Sequence, residues 1–274
     1  MPLDRTRLLE PADLPALQAR ETDVLVVDIG AADRYARGHI PGALLVTPAE
    51  LVDGRPPAPG RLPDRDRLDA LFSALGLTPG TLVVAYDDEG GGWAGRFIWT
   101  LEVIGHDHWA VIDGGLHAWH DSGAPLTREP PARQARAQQV QIDGTVIAEA
   151  EDVLAASRSG DAVIWDARSP EEYRGERINA ARGGHVPGAL NLDWLELMDP
   201  ARSLRLREDV EALIAARGID LRRSLITHCQ SHHRSGLTWL VARLLGARDA
   251  KGYHGSWSEW GNRDDLPVRT GGAP

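Results

Sequence analysis

The chain has 274 residues, too many for one ordinary small domain, and its 42% hydrophobic and 26% charged residues are the balance of a globular protein with apolar material for real cores. With 30 Lys+Arg against 40 Asp+Glu, the formal net charge of -10 argues against nucleic acid as a main partner. A single cysteine rules out an intrachain disulfide; no apolar run nears the length of a membrane span or signal peptide, so we expect a reducing cytoplasm and no membrane partner.

The first apolar run, "VLVVD" (24–28), reads as a buried strand ending in an acid. A turn box, "GHIPGALLV" (38–46), follows, and "TLVVAYD" (81–87) is the next buried strand. It leads into "DEGGGWAGR" (88–96), which lacks the Lys-Ser/Thr pair of a phosphate-cradling loop and has acids in front, so it reads as a degenerate loop. "RFIWTLEVIG" is a helical pattern closing at Gly105; "DGGLHAW" (113–119) and "GAPL" complete the unit. Residues 126–140, rich in Pro, Arg and Gln and without apolar period, read as an exposed linker.

The same series then recurs in order: "AVIWD" ending at Asp166, "GHVPGALNL" (184–192), "SLITHC" (224–229), "GLTWLVARLLG" closing at Gly246, "HGSWSEW" (254–260) and "DLPV". We read an internal duplication of a unit of roughly 120–130 residues, a normal domain size. Apolar strands alternating with amphipathic stretches such as "EDVEALIAARG" (208–218) predict an α/β fold, each unit a parallel sheet covered by helices on both faces. The predicted boundaries are 1–125, a linker at 126–140, and 141–274. Only the second unit carries an insertion before its turn box, "GERINAARGG" (175–184), which is expected to border the mouth of the site and to which no chemistry is assigned.

Ligands of parallel sheets sit beyond the carboxyl ends of the strands. There the second unit places "THCQSHHRSG" (227–236). A cysteine between a strand end and a helix start meets converging amides and the positive end of the helix dipole, both of which favour the thiolate. Arg234 adds a fixed positive charge, and Gln230, Ser231, His232 and His233 can line the curl. A metal site is the rival reading, on His228, Cys229, His232 and His233; adjacent residues project apart and no second cysteine or spaced histidine pair exists, so no metal is expected.

The Cys-x4-Arg-Ser loop opening a helix, the "GHxPGA" boxes and the terminal "GSWSEW" resemble the rhodanese sulfurtransferases, over nearly the whole chain. The duplication matches the tandem architecture in that family, in which the C-terminal domain is catalytic and the N-terminal one has lost its cysteine; here Asp87 aligns with Cys229. The "CQSHHRS" loop is most similar to a bacterial subgroup of thiosulfate enzymes. The resemblance implies that Cys229 takes a sulfane sulfur from thiosulfate or a similar donor as a persulfide and passes it to cyanide or a thiol, with no cofactor, in a loop formed by Gln230, Ser231, His232, His233, Arg234 and Ser235. It also implies that the first domain packs as one wall of the cleft. Protein or thiol acceptors are open partners.

Arg234 either stabilises the persulfide or braces the loop by bonding carbonyls, the latter slightly favoured. His232 and His233 either donate to the donor's oxyanion or lie on the surface. Glu172 stands where the mammalian enzymes carry a second arginine, leaving Arg168 and Lys251 as candidate substrate contacts. Arg168 has a rival reading as an ion pair with Asp166, Glu171 or Glu176. His39 and His185, in the twin boxes, read as structural, and the nine tryptophans as core and interface packing. Two rival functions remain: a cysteine-dependent phosphatase or arsenate reductase, which needs Cys-x5-Arg where this chain has Ser235, and a non-catalytic binding module.

Overall fold

The computed structural model describes residues 2–274. The first half contains β1 (Leu8–Leu9), α1 (Asp13–Arg20), β2 (Val24–Ile29), α2 (Ala32–Arg37), β3 (Leu44–Val46), α3 (Arg65–Ala74), β4 (Leu82–Asp87), α4 (Gly92–Val103), β5 (Trp109–Ile112) and α5 (Gly115–Asp121). The second contains β6 (Ile147–Ala148), α6 (Ala150–Ser159), β7 (Val163–Asp166), α7 (Pro170–Arg174), β8 (Leu190–Asn191), β9 (Met198–Asp199), β10 (Arg205–Leu206), α8 (Val210–Ala216), β11 (Leu225–His228), α9 (Arg234–Leu244), β12 (Ala250–Tyr253) and α10 (Ser256–Trp260).

Each half forms a five-stranded sheet whose pairs are all parallel, in the order β1-β5-β4-β2-β3 and, repeating it, β6-β12-β11-β7-β8. The strands are apolar on both faces because both are covered. In β2, Leu25, Val27 and Ile29 face one core while Val26 faces another with Leu14, Leu17 and Trp119. The first of these cores runs through both halves, joining Phe97 and Trp99 of α4 to Trp239 and Val241 of α9. The halves therefore share apolar interior and are not merely tethered. Residues 126–140 are mostly exposed as expected, yet they dock on the first half: Arg133 bonds the Leu75 carbonyl, and Val140 is buried.

Where α4 and α9 cross, backbone meets backbone. A methyl group on Gly95 would lie 2.4 Å from the Gly236 carbonyl oxygen, and one on Gly236 would lie 2.5 Å from the Arg96 nitrogen. Two straps complete the union. The first half's residues 47–64 reach the second, where the Leu62 amide donates to His254 Nδ1 (2.9 Å). The second half's β9–β10 hairpin returns the contact through the Leu206 amide, which donates to Asp113 Oδ1 (2.7 Å). Asp113 and His254 open the repeated "DGGLHAW" and "HGSWSEW" segments, so the two bonds are counterparts.

The duplicated boxes do structural work. His39 and His185 stack on Tyr35 and Tyr173 and bond backbone carbonyls, and the Trp119 and Trp260 indoles donate to the Pro125 and Pro267 carbonyls. Among the described residues, no helix is long and apolar enough to cross a membrane.

Candidate active site

The strand β11 delivers Cys229 to the carboxyl edge of the second sheet, and α9 starts five residues later. The intervening curl is held from outside by the "GSWSEW" box. The Cys229 amide donates to Ser256 Oγ (3.3 Å), and the Trp257 and Ser258 amides donate to the Cys229 and Gln230 carbonyls (both 2.9 Å). Inside the curl, the Ser235 hydroxyl and amide and the Ser231 amide lie near enough to the sulfur to favour its anion. Burial pushes the Cys229 thiol up, but the Arg234 charge and these donors more than reverse it, so the thiol sits below its ordinary value. The sulfhydryl is sealed in the fold, with the amides turned toward it.

His232 closes the curl in the left-handed region (φ 56°), a conformation that costs a non-glycine residue about 1–3 kcal/mol and that surrounding structure must hold. Its ring is buried edge-on to Trp99 (4.4 Å), and Nδ1 lies 2.7 Å from Ser235 Oγ. Burial holds His232 well below the ordinary histidine value, so the ring is neutral. His233 turns the other way, to Glu89 of the first half, stacked on Trp93 (4.3 Å) with Trp194 beside it (5.6 Å). Neither histidine lies free on the surface.

The structure corrects the expectation that Arg234 braces carbonyls. Its guanidinium makes a two-pronged pair with Glu172 (2.6 and 3.0 Å), which also accepts from Asn179 (3.0 Å). Glu172 is positioned by the Ser169 cap of α7, with Pro170 at the first helical position. Sequence reasoning noted this glutamate only as a missing arginine; it is the counter-charge of the loop's cation. Asn179, from the unassigned insertion, also accepts from Gln230 (3.0 Å). That insertion therefore borders the loop, where its place before the turn box had put it, and Asn179 gives it a positioning contact.

The other candidate cations are engaged elsewhere. Arg168 is buried, paired with Asp166 (2.6 Å), bonded to the Gly184 carbonyl (2.8 Å) and placed over Trp257 (4.3 Å): the ion-pair geometry, not a free anion contact. Lys251 sits beside Ile226 and lines a cleft with Asp152, Asp161 and Asp249 at the amino ends of the strands, the far end of the sheet from Cys229.

Strand register shows the degenerate site directly. Asp28 pairs with Tyr86 as Asp166 pairs with His228, so Asp87 occupies the place of Cys229. Its carboxylate accepts the amides of Glu89 (3.1 Å), Gly91 (2.8 Å) and Ala94 (2.9 Å). The first loop thus closes on an anion of its own. Burial, helped by the Glu89 charge, raises Asp87 to about 6 against the pull of those amides.

Comparison with known proteins agrees with this duplicated architecture. The rhodanese-like domain family matches twice, at residues 10–122 and 149–263. The chain is 49% identical over 261 residues to a thiosulfate sulfurtransferase of Azotobacter vinelandii, covering 95% of this chain and 96% of that one. It is likewise 49% identical over 266 residues to a thiosulfate sulfurtransferase of Pseudomonas aeruginosa, covering 97% of each. A sulfur carrier protein of Thermus thermophilus, TtuD, is 32% identical over 250 residues, 86% of this chain and 87% of that one. Among solved structures, the anaerobic ergothioneine biosynthesis enzyme from Chlorobium limicola superposes with a TM-score of 0.84 at 22% identity, over 97% of this chain and 70% of that one, a likeness of fold.

Proposed function

The chain belongs to the rhodanese family and transfers sulfane sulfur; on that premise we propose that the sulfur travels as a persulfide on Cys229, taken from thiosulfate or a similar donor and given to cyanide or a thiol. The observation that carries the assignment is the buried thiol at a strand end, lowered by Arg234, the Ser235 hydroxyl and loop amides, in one half alone.

The Cys229 thiolate attacks the outer sulfur of thiosulfate. A new S–S bond forms, the old one breaks, and sulfite leaves with its electron pair. The persulfide's outer sulfur lies within the curl of amides, which are fixed in advance and need no reorganisation as charge arrives. Cyanide then attacks that outer sulfur, thiocyanate departs, and the thiolate is restored. A thiol acceptor, small or on a protein, reacts in the same sense and leaves as a persulfide. A reducing compartment such as the cytoplasm suits the cycle, because the resting thiol must stay unoxidised. The phosphatase alternative is not favoured: Arg234, which would hold a phosphate, is committed to Glu172.

The test is thiocyanate formation from thiosulfate and cyanide. Wild type is expected to turn over and Cys229→Ala to give none; equal product from both would remove Cys229 from the mechanism.

A further inference from the structure

The half without a cysteine contributes one cation to the loop. Arg96, on α4, is completely buried. Nη1 donates to the carbonyls of Gly60 (2.9 Å) and His232 (3.4 Å), Nη2 donates to the Leu51 carbonyl (2.8 Å), and the guanidinium lies over Trp99 (4.8 Å). These partners are neutral. A guanidinium sealed from water without a counter-charge is costly. Burial holds Arg96 down at about 9, and the Cys229 sulfur is the group that opposes this.

We propose that Arg96 is a positioning residue for sulfur transfer, supplied in trans by the first half: it fixes the Cys229 loop through the His232 carbonyl, and its charge is balanced by the anion that Cys229 carries. The geometry gives the clamp a direct consequence. In a planar trans peptide the carbonyl and the following N–H point in opposite directions. Drawing the His232 carbonyl toward Arg96 therefore turns the His233 amide away from it, and it holds His232 in its left-handed turn. The same guanidinium grips Gly60, whose strap lies so close that an added methyl would meet the Ser231 carbonyl oxygen at 2.1 Å.

The other charges around the pair are accounted for. Arg234 is matched by Glu172 and Arg168 by Asp166; beyond them, Arg61 pairs with Glu149 and Glu259. His228, His232 and His254 are all held below the ordinary histidine value by burial. Arg96 alone lacks a carboxylate among these cations, which leaves the Cys229 anion as its counterpart.

The proposal rests on Cys229 as the sulfur carrier, and the test separates the two. Iodoacetamide alkylation of Cys229 as a function of pH reads the thiol without donor or acceptor. In the full chain, with folding checked by circular dichroism, Arg96→Gln is expected to move the profile up, by less than the loss of Arg234 does, and to lower kcat for thiocyanate formation. Arg96→Lys is expected to restore much of the alkylation profile by keeping the charge. A folded Arg96→Gln protein whose profile coincides with wild type overturns the proposal, whereas an inactive wild type would overturn only the reading above. Should Arg96→Gln not fold, the question is put from the sulfur's side. In Cys229→Ser, NMR of labelled arginine is expected to show Arg96 titrating at lower pH than in wild type, and an unchanged titration also overturns the proposal.

Discussion

At Cys229, burial and local charge pull the thiol in opposite directions, and Arg234 is the largest influence on the acidic side. Removing it in Arg234→Ala is expected to raise the thiol's pKa, so that the alkylation profile moves to higher pH by about one unit or more. The same change strands Glu172, and unfolding is expected to become easier by about 2 kcal/mol, less than for a fully buried pair because the Arg234 side chain is 20% exposed. Alkylation rate against pH and a urea titration measure the two effects; a profile unmoved by the loss of Arg234 would contradict the electrostatic account. The loop itself was legible in the sequence because its chemistry is contiguous from Cys229 to Ser235. Its partners were not: Glu172 precedes Arg234 by 62 positions and Glu89 precedes His233 by 144, separations that only the folded chain closes. For the same reason Arg168 and Lys251 kept a functional reading until their burial and neighbours were known.

The repeated elements were legible one by one, since each strand is a continuous apolar run and each helix has its own period and stop. What no pattern announced is how α4 and α9 meet. Glycine at 95 and 236 reads as weak helix former in isolation; in the fold it is what lets two backbones touch. Gly236→Ala is expected to cost about 1–3 kcal/mol through overpacking and to reduce activity, because the helix that begins with Arg234 must shift to relieve the clash. Gly80→Ala serves as the control: a methyl there meets nothing within 4 Å, and stability is expected to stay within about 0.5 kcal/mol of wild type. Equal urea midpoints for the two variants would mean that the helix crossing tolerates separation.

The duplication, and with it the two parallel sheets, followed from the order of motifs; the shared core and the exchange of straps did not, because both arise between units. One strap contact has a pH signature. Burial holds Asp113, which accepts the Leu206 amide, up at about 6 against an ordinary 3.8. Between those values the folded protein binds more protons than the unfolded chain, so stability falls as pH rises through the window. Asp113→Asn keeps an oxygen for Leu206 and removes the charge; it is expected to raise stability at pH 7 by about 2 kcal/mol and to lose that advantage near pH 4. Urea midpoints identical to wild type at pH 7 would contradict the assignment. At this scale the molecule is a pair of related domains in which one loop encloses a cysteine sulfur and its counterpart a carboxylate. The most direct measurement is the intact mass of the chain after thiosulfate treatment and desalting. The account predicts a species heavier by one sulfur atom, returned to the starting mass by cyanide and absent from Cys229→Ala; an unchanged wild-type mass, or the same added sulfur in Cys229→Ala, would contradict it.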